Sequence, residues 1–410
     1  MLSNRMTSLK GINGVLYPYK TPWCFKPIPP TESSDSSDDD MATAASNKLF
    51  TPLQVGDLTL AHRVVMAPLT RYRADDNHAH TDLALKYYSQ RAEVPGTLLI
   101  TEATFISPEA GGYDHVPGIW SDEQIAAWKK ITDAVHDKRS YIYLQLWALG
   151  RAADPKVLGR EGLPFVSSSP TPMEEGAPVP RELTREEIKR YVDTYAQAAK
   201  NAVFKAGFDG VEIHSANGYL LDQFLQDVCN KRTDEYGGSI ENRARFTLEV
   251  ADAVTAAVGA KKTGIRFSPW GKFQGKREHR LGPNELAKRH TDLAYVHFVE
   301  PVVAGDSDQK VDQAHDTGSA KHPDSNDFAR EIWAPRTFLS AGGYNPKSGE
   351  QAANKYGNAA IVFGRHFIAN PDLPERLRNG IPLNHYDRDT FYTQGPKGYI
   401  DYPKANEVKA

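Results

Sequence analysis

Apolar and polar residues alternate along this chain on two different periods, and the switch between the two repeats. Leu49-Phe-Thr-Pro-Leu-Gln-Val-Gly-Asp-Leu-Thr-Leu60 alternates around Gly56-Asp57, the pattern of a short hairpin. Beyond it, short β-rich runs recur at Arg63–Leu69, Thr97–Ala103, Tyr141–Trp147, Gly210–His214, Gly264–Ser268, Ala294–Val299, Thr337–Ala341 and Ala360–Phe363. Helical spacing with charged outer faces fits Leu83–Ala92, Asp122–Lys138, Thr184–Ala206, Ser239–Val258 and Asp372–Asn379. Strands alternating with helices predict an α/β fold, a single (β/α)8 TIM barrel with an N-terminal β-hairpin. A doubly wound sheet is the competing arrangement. It requires a glycine-rich phosphate turn after the first strand, and Met66-Ala-Pro-Leu-Thr-Arg-Tyr72 contains no glycine.

Residues 1–46 break this pattern. Pro27, Pro29 and Pro30 lead into the acidic tract Ser33-Ser-Asp-Ser-Ser-Asp-Asp-Asp40, which has nothing to bury, so a disordered leader is expected ahead of a barrel spanning 47–410. Arg5, Lys10, Lys20 and Lys26 precede the first acid, Glu32, as in a targeting segment, but the amphipathic arginine-rich spacing of such signals is missing. A dispensable leader and a cytoplasmic protein are the expectation. Composition narrows the function further. The 410 residues are 40% hydrophobic and 25% charged with net charge −3, which gives no general affinity for nucleic acid or anionic membrane. No run approaches the roughly 20 apolar residues of a membrane span. The two cysteines, Cys24 and Cys229, are too few for a zinc ribbon or a four-cysteine iron–sulfur cluster, and the histidines lack ligand spacing, so no metal site is expected.

In a barrel the chemistry sits where strands run into loops at the C-terminal face. The strand ends here read Pro68-Leu-Thr70-Arg71, Thr101-Glu102-Ala103, Gln145-Leu-Trp147, His214-Ser-Ala-Asn217, Arg266-Phe-Ser-Pro269, Glu300-Pro301, Ala341-Gly-Gly343 and Gly364-Arg365. All carry hydrogen-bonding groups or glycines, which together suit a large polar ligand over the barrel mouth. The loops after strands seven and eight are the usual phosphate position. Gly342, Gly343 and Gly364 would expose backbone N–H groups there, and Arg365 adds a fork-shaped donor. The plainer alternative is a tight turn at Gly342-Gly343 and an Arg365 paired with a surface acid.

Gly210-Val-Glu-Ile-His-Ser-Ala-Asn-Gly-Tyr-Leu-Leu-Asp-Gln-Phe224 stands out, because a core strand runs directly into His214, Asn217 and Tyr219. Unpaired, such buried groups cost about 1–3 kcal/mol each. Taken singly, they read as a satisfied core histidine, a turn asparagine and a packing aromatic. Glu102 and Glu300 are assigned supporting hydrogen bonds and no chemistry. Ser239 and Glu241 suit the start of a helix.

His214-Ser-Ala-Asn-Gly-Tyr-Leu-Leu-Asp-Gln-Phe224, followed by Arg232-Thr-Asp-Glu-Tyr-Gly-Gly-Ser-Ile-Glu-Asn-Arg-Ala-Arg-Phe246, resembles the old yellow enzyme family, FMN-dependent ene-reductases grouped with the plant 12-oxophytodienoate reductases. Met66-Ala-Pro-Leu-Thr-Arg-Tyr-Arg73, Leu99-Ile-Thr-Glu-Ala103, Ala110-Gly-Gly-Tyr-Asp114, Leu144-Gln-Leu-Trp147, Gly364-Arg-His-Phe-Ile-Ala-Asn-Pro-Asp-Leu373 and Tyr386-Asp-Arg-Asp-Thr-Phe-Tyr392 extend the resemblance from about Leu49 to Pro403, in the fungal style. It implies a tightly bound, non-covalent FMN over the mouth. Pro68, Thr70, Ala103, Gln145 and Arg266 match isoalloxazine contacts, and Gly343, Gly364 and Arg365 match the phosphate loops. Thr70 places the chain in the branch that uses threonine rather than cysteine beside the flavin carbonyl.

The implied reaction is ping-pong: NADPH reduces FMN and leaves, and an α,β-unsaturated carbonyl compound then takes hydride at its β-carbon. His214 and Asn217 would each donate to the carbonyl oxygen, as in an oxyanion hole. Tyr219 would protonate the α-carbon, since a phenol with an ordinary pKa near ~10 keeps its proton at neutral pH. Tyr113, Trp147 and Tyr392 match walls of the substrate pocket. The expected partners are an enone or enal and NADPH, with the chain a monomer or homodimer. Two other readings stand beside this one: a reductase or isomerase dedicated to one secondary-metabolite enone or enal, and a flavin-binding but catalytically impaired member. Impairment is suggested by the segment between Pro269 and Ala294, where relatives usually have more residues. Only Asn284–His290, about two turns, remains for helix five, and Lys276, Arg277, His279 and Arg280 make its lead-in basic. Val302 also stands where relatives often carry arginine.

Overall fold

The computed structural model describes residues 47–271, 274, 283–301, 303–304, 307–308 and 325–407; the leader, the basic residues 276–280 and Val302 lie outside these. Eight parallel strands close into a barrel: Val64–Met66, Leu98–Ile100, Tyr141–Trp147, Gly210–His214, Thr263–Phe267, Tyr295–Val299, Phe338–Ala341 and Ala359–Phe363. Each pairs with the next in this order, and Ala359–Phe363 returns to Val64–Met66 through the register Val362↔Val65. All five residues of strands such as Gly210–His214 and Ala359–Phe363 are buried, because helices cover the outside and side chains fill the inside. The expected hairpin is present, with Leu53–Val55 antiparallel to Leu58–Leu60.

The interior is built in rungs, since residues two apart on a strand face the same way. Val65, Leu98, Ile100, Tyr143, Tyr295 and Leu339 form a lower apolar rung that Val55 and Leu60 of the hairpin join from below. The Tyr143 and Tyr295 ring centroids are 5.6 Å apart across the interior. Gly210 and Gly264 make that possible, because a Cβ at either would run into one of these two rings.

Helices begin where the caps direct. Asp122–Asp137 and Arg185–Lys200 each start on a reciprocal capping box, from Ser121 with Gln124 and from Thr184 with Glu187. Ser239 caps Ile240–Val258 by accepting from the Asn242 N–H. Several expected bounds shift for identifiable reasons. The helical run to Ala206 is α only to Lys200 and continues as a π-helical turn over Asn201–Lys205, where the buried Asn201 amide donates to the Ile119 carbonyl. The first strand stops at Met66, just before the Ala67-Pro68 pair, since proline has no N–H to extend a ladder. Helices Asp327–Trp333 and Pro346–Lys355 were not anticipated. The short helix five covers Pro283–Arg289 and is anchored by buried Leu286 and by the Asp252 carboxylate, which meets Arg289 and His290. Among the described residues no helix is long and apolar enough to cross a membrane.

Candidate active site

The strand ends converge on one cavity of about 420 Å³ at the C-terminal mouth. Pro68, Thr70, Ala103, Gln145, Arg266, Gly343, Gly364 and Arg365 line it, and so do His214, Asn217, Tyr219, Tyr113, Trp147 and Tyr392. The structure therefore brings into one cavity every residue expected from the sequence to contact cofactor or substrate. Tyr72, Gln274 and Tyr344 line it too and were missed.

The end of strand Gly210–His214 owes its shape to a pinned turn. His214 is the last strand residue and is buried. Asn217 follows in a left-handed conformation with φ +59°, which asparagine tolerates better than most side chains. Its N–H donates to Ser268 Oγ at 2.6 Å, and the Gly218 N–H donates to Asp222 Oδ2 at 2.7 Å. Gln223 closes the turn from below, donating to the Leu149 and Gly218 carbonyls. Tyr219 emerges beside His214, with ring centroids 5.0 Å apart, and stands edge-on to Trp147 at 4.7 Å. Burial, reinforced by the Tyr113 and Tyr72 phenols, pushes the Tyr219 hydroxyl well above its usual value, so it carries its proton at neutral pH.

The outer wall is held by two arginines whose guanidinium groups donate to backbone carbonyls and to the Tyr87 and Thr393 hydroxyls. Arg71 donates to the Phe391 and Gly398 carbonyls at 3.0 and 2.7 Å, and Arg73 donates to Gly395 and Lys397 at 2.8 and 3.1 Å. This clamp fixes the C-terminal segment that carries Phe391 and Tyr392 over the cavity. Tyr392 is half exposed and meets Tyr72 edge-on at 5.7 Å. Tyr113 is anchored by its hydroxyl to the Ala152 carbonyl.

Glu102 and Glu300 are committed to the scaffold. Glu102 accepts from the Arg71 N–H at 3.1 Å and pins the loop after strand one, and burial pushes its carboxyl up to about 7. Glu300 takes Arg330 and the Ser340 hydroxyl. Below the mouth lies a second cluster, of which sequence reading singled out Gln145 and Arg266 but not Glu212 and His297: Glu212 bonds Gln145 and His297 and offsets the Arg266 charge, on the rung above the tyrosines.

The family model described as NADH:flavin oxidoreductase / NADH oxidase family matches residues 48–384. The chain belongs to this family. A chanoclavine-I aldehyde reductase of Penicillium roqueforti is 54% identical over 371 residues, covering 88% of this chain and 98% of that protein. An NADP-dependent oxidoreductase of Aspergillus flavus is 51% identical over 372 residues, covering 88% and 97%. Among solved structures, an old yellow enzyme from a Pichia species superposes with TM-score 0.80 at 42% identity, covering 89% of this chain and 95% of that one. The chain is thus an old yellow enzyme of fungal type, an oxidoreductase that uses FMN and a nicotinamide donor.

The residues present fit FMN on two structural observations. Gly342 and Gly343 adopt φ +131° and +66°, and a Cβ at Gly342 would crowd Glu300, so the backbone there is left bare, as a phosphate would require. Across the cavity floor, Arg266 Nε is buried with no hydrogen-bond partner among the described residues, although Arg266 lines the cavity. A buried donor of this kind calls for an acceptor, which a flavin ring supplies.

Proposed function

We propose that this enzyme reduces the C=C bond of α,β-unsaturated carbonyl compounds, with His214 and Asn217 holding the carbonyl oxygen and Tyr219 delivering the proton. The convergence of these three side chains on one wall of the mouth, set by a single strand end and its pinned turn, carries the reading. FMN, when bound, supplies the hydride for the β-carbon and is recharged by NADPH. His214 and Asn217 donate to the oxygen where negative charge grows, so they stabilise the transition state more than the ground state. Tyr219 moves its hydroxyl proton to the α-carbon and recovers one from solvent. Pro68, Thr70, Ala103, Gln145 and Arg266 cradle the ring, and Gly343, Gly364 and Arg365 take the phosphate. Tyr113, Trp147 and Tyr392 bound the substrate.

The relatives' names favour an aldehyde, and the aromatic lining of Tyr72, Tyr113, Trp147, Phe391 and Tyr392 favours a substrate with a flat apolar body, hence an enal dedicated to one pathway as the second reading. The test is product analysis with the yellow holoenzyme. NADPH should bleach the flavin, cyclohexenone or cinnamaldehyde should restore the colour, and the saturated carbonyl compound should accumulate. Reoxidation by oxygen alone, with the enone and enal recovered unchanged, would overturn the proposal. Recovery of a double-bond isomer in place of the saturated product would favour net isomerisation.

A further inference from the structure

The catalytic strand carries a carboxylate for which the reaction above has no use. Glu212 lies two residues before His214, on the same face of Gly210–His214, and is fully buried. Its Oε1 accepts from Gln145 Nε2 at 2.7 Å, across the register Gln145↔Glu212. Its Oε2 lies 2.8 Å from His297 Nδ1. Strand Thr263–Phe267 separates these two strands, so this bond crosses the barrel interior. Arg266, on that intervening strand, is the cation whose charge Glu212 offsets. Burial works to raise the Glu212 carboxyl; His297, Arg266 and the Gln145 amide outweigh it, so the group stays ionised.

An ionised carboxylate only accepts hydrogen bonds, and this dictates the state of its neighbours. The Gln145 amide must turn its NH₂ inward, which leaves its carbonyl oxygen for the cavity. His297 must carry a proton on Nδ1, the nitrogen that faces the carboxylate at 2.8 Å. We infer that Glu212 is a positioning residue for the flavin: from beneath the mouth its carboxylate holds Gln145 with the carbonyl oxygen outward and offsets the Arg266 cation. This rests on the reading that Gln145 and Arg266 face the ring. The flavin then meets one oriented acceptor and a partly balanced cation, in place of a free-turning amide and a bare positive charge. A bare cation would favour the reduced, more negative flavin, so Glu212 holds the reduction potential down.

Glu212→Gln tests this in the holoenzyme. The flavin midpoint potential should move to more positive values. FMN should leave faster, on the order of tenfold, because the Gln145 amide is no longer held by a charge-assisted bond. Glu212→Asp keeps the charge and shortens the arm, so it should leave the potential near wild type while FMN still leaves faster. This variant carries the test alone if Glu212→Gln does not fold, and wild-type FMN release in it would then overturn the inference. Gln145→Leu separates the two levels of argument. If Gln145→Leu alters FMN release and Glu212→Gln leaves both potential and release unchanged, the inference is overturned and the flavin-site reading stands. If Gln145→Leu itself changes neither quantity, the flavin-site reading fails and takes the inference with it.

Discussion

Two adjoining levels of the barrel interior are built to opposite rules, although strands Tyr141–Trp147 and Tyr295–Val299 contribute a side chain to each. The lower rung is Val65, Leu98, Ile100, Tyr143, Tyr295 and Leu339, sealed by Val55 and Leu60 of the hairpin. The upper rung holds Gln145, Glu212, Arg266 and His297, two positions further on from Tyr143, Gly210, Gly264 and Tyr295. Apart from the Tyr143 and Tyr295 hydroxyls, the lower rung fills space with apolar atoms, which stabilises it at little risk. The upper rung buries charge and amide groups, which stabilise the fold only if all are partnered, and a hydrophobic replacement would commonly be neutral or better for stability. With the proposed flavin contacts above and the apolar filling below, substitutions on the two levels should separate effects on function from effects on stability.

The largest effect belongs at the mouth. Tyr219→Phe should slow reoxidation of the reduced enzyme by an enone about 10²–10⁴-fold and leave the melting temperature in place, as stopped-flow absorbance and calorimetry would record. Equal slowing of reduction by NADPH would blur the division. Below, Ile100→Ala should cost about 2–5 kcal/mol in urea unfolding with kcat unchanged, because the rung cannot collapse into the void. A further contrast comes from His62, packed beside the lower end of the barrel. It accepts the Val64 N–H on Nδ1 and shares 3.0 Å with Thr97 Oγ1 through Nε2. Burial, aided by Arg378, lowers its pKa from 6.5 to about 4. A depressed histidine contributes stability that is complete above pH 6.5 and is lost as pH falls through about 4. That loss should amount to about 3 kcal/mol, and His62→Gln should remove this part of the pH dependence of the urea midpoint. The smallest effect is expected at Tyr392, half exposed at the cavity rim: Tyr392→Ala should raise KM for an aryl enal several-fold, about 1 kcal/mol, with kcat and stability unchanged.

The lower rung and the strands were legible because runs such as Gly210–His214 and Tyr141–Trp147 are apolar enough to announce burial, and their bounds agree with the structure. His214, Asn217 and Tyr219 were legible because all three lie within six residues, on one strand end. Glu212 was hidden by the same rule that revealed the strand. In Val211-Glu-Ile213 a polar residue between apolar ones reads as a solvent-facing position, yet here the outside is covered by helices and the polar face is the interior. Its bond to His297 crosses between strands that are not neighbours, which only closure of the barrel decides. Arg71 and Arg73 were hidden likewise, since their acceptors are backbone carbonyls more than 300 residues away. The missed helix Pro346–Lys355 did carry a signal: Asn345 as cap, Pro346 at the first position and Ser348 completing the box. Its short body, with Ala352 and Ala353 as the only apolar side chains after Pro346, offered too little apolar periodicity to draw attention to that start.

The central claim is that His214 and Asn217 act on the substrate carbonyl while the rung below them holds the flavin. The most direct test reduces the His214→Ala, Asn217→Ala double variant anaerobically and follows its reoxidation by cyclohexenone at 460 nm, roughly where oxidised flavins absorb. The account predicts a full complement of FMN and reoxidation slowed at least about 10²-fold. Reoxidation at the wild-type rate, with FMN retained, would contradict it.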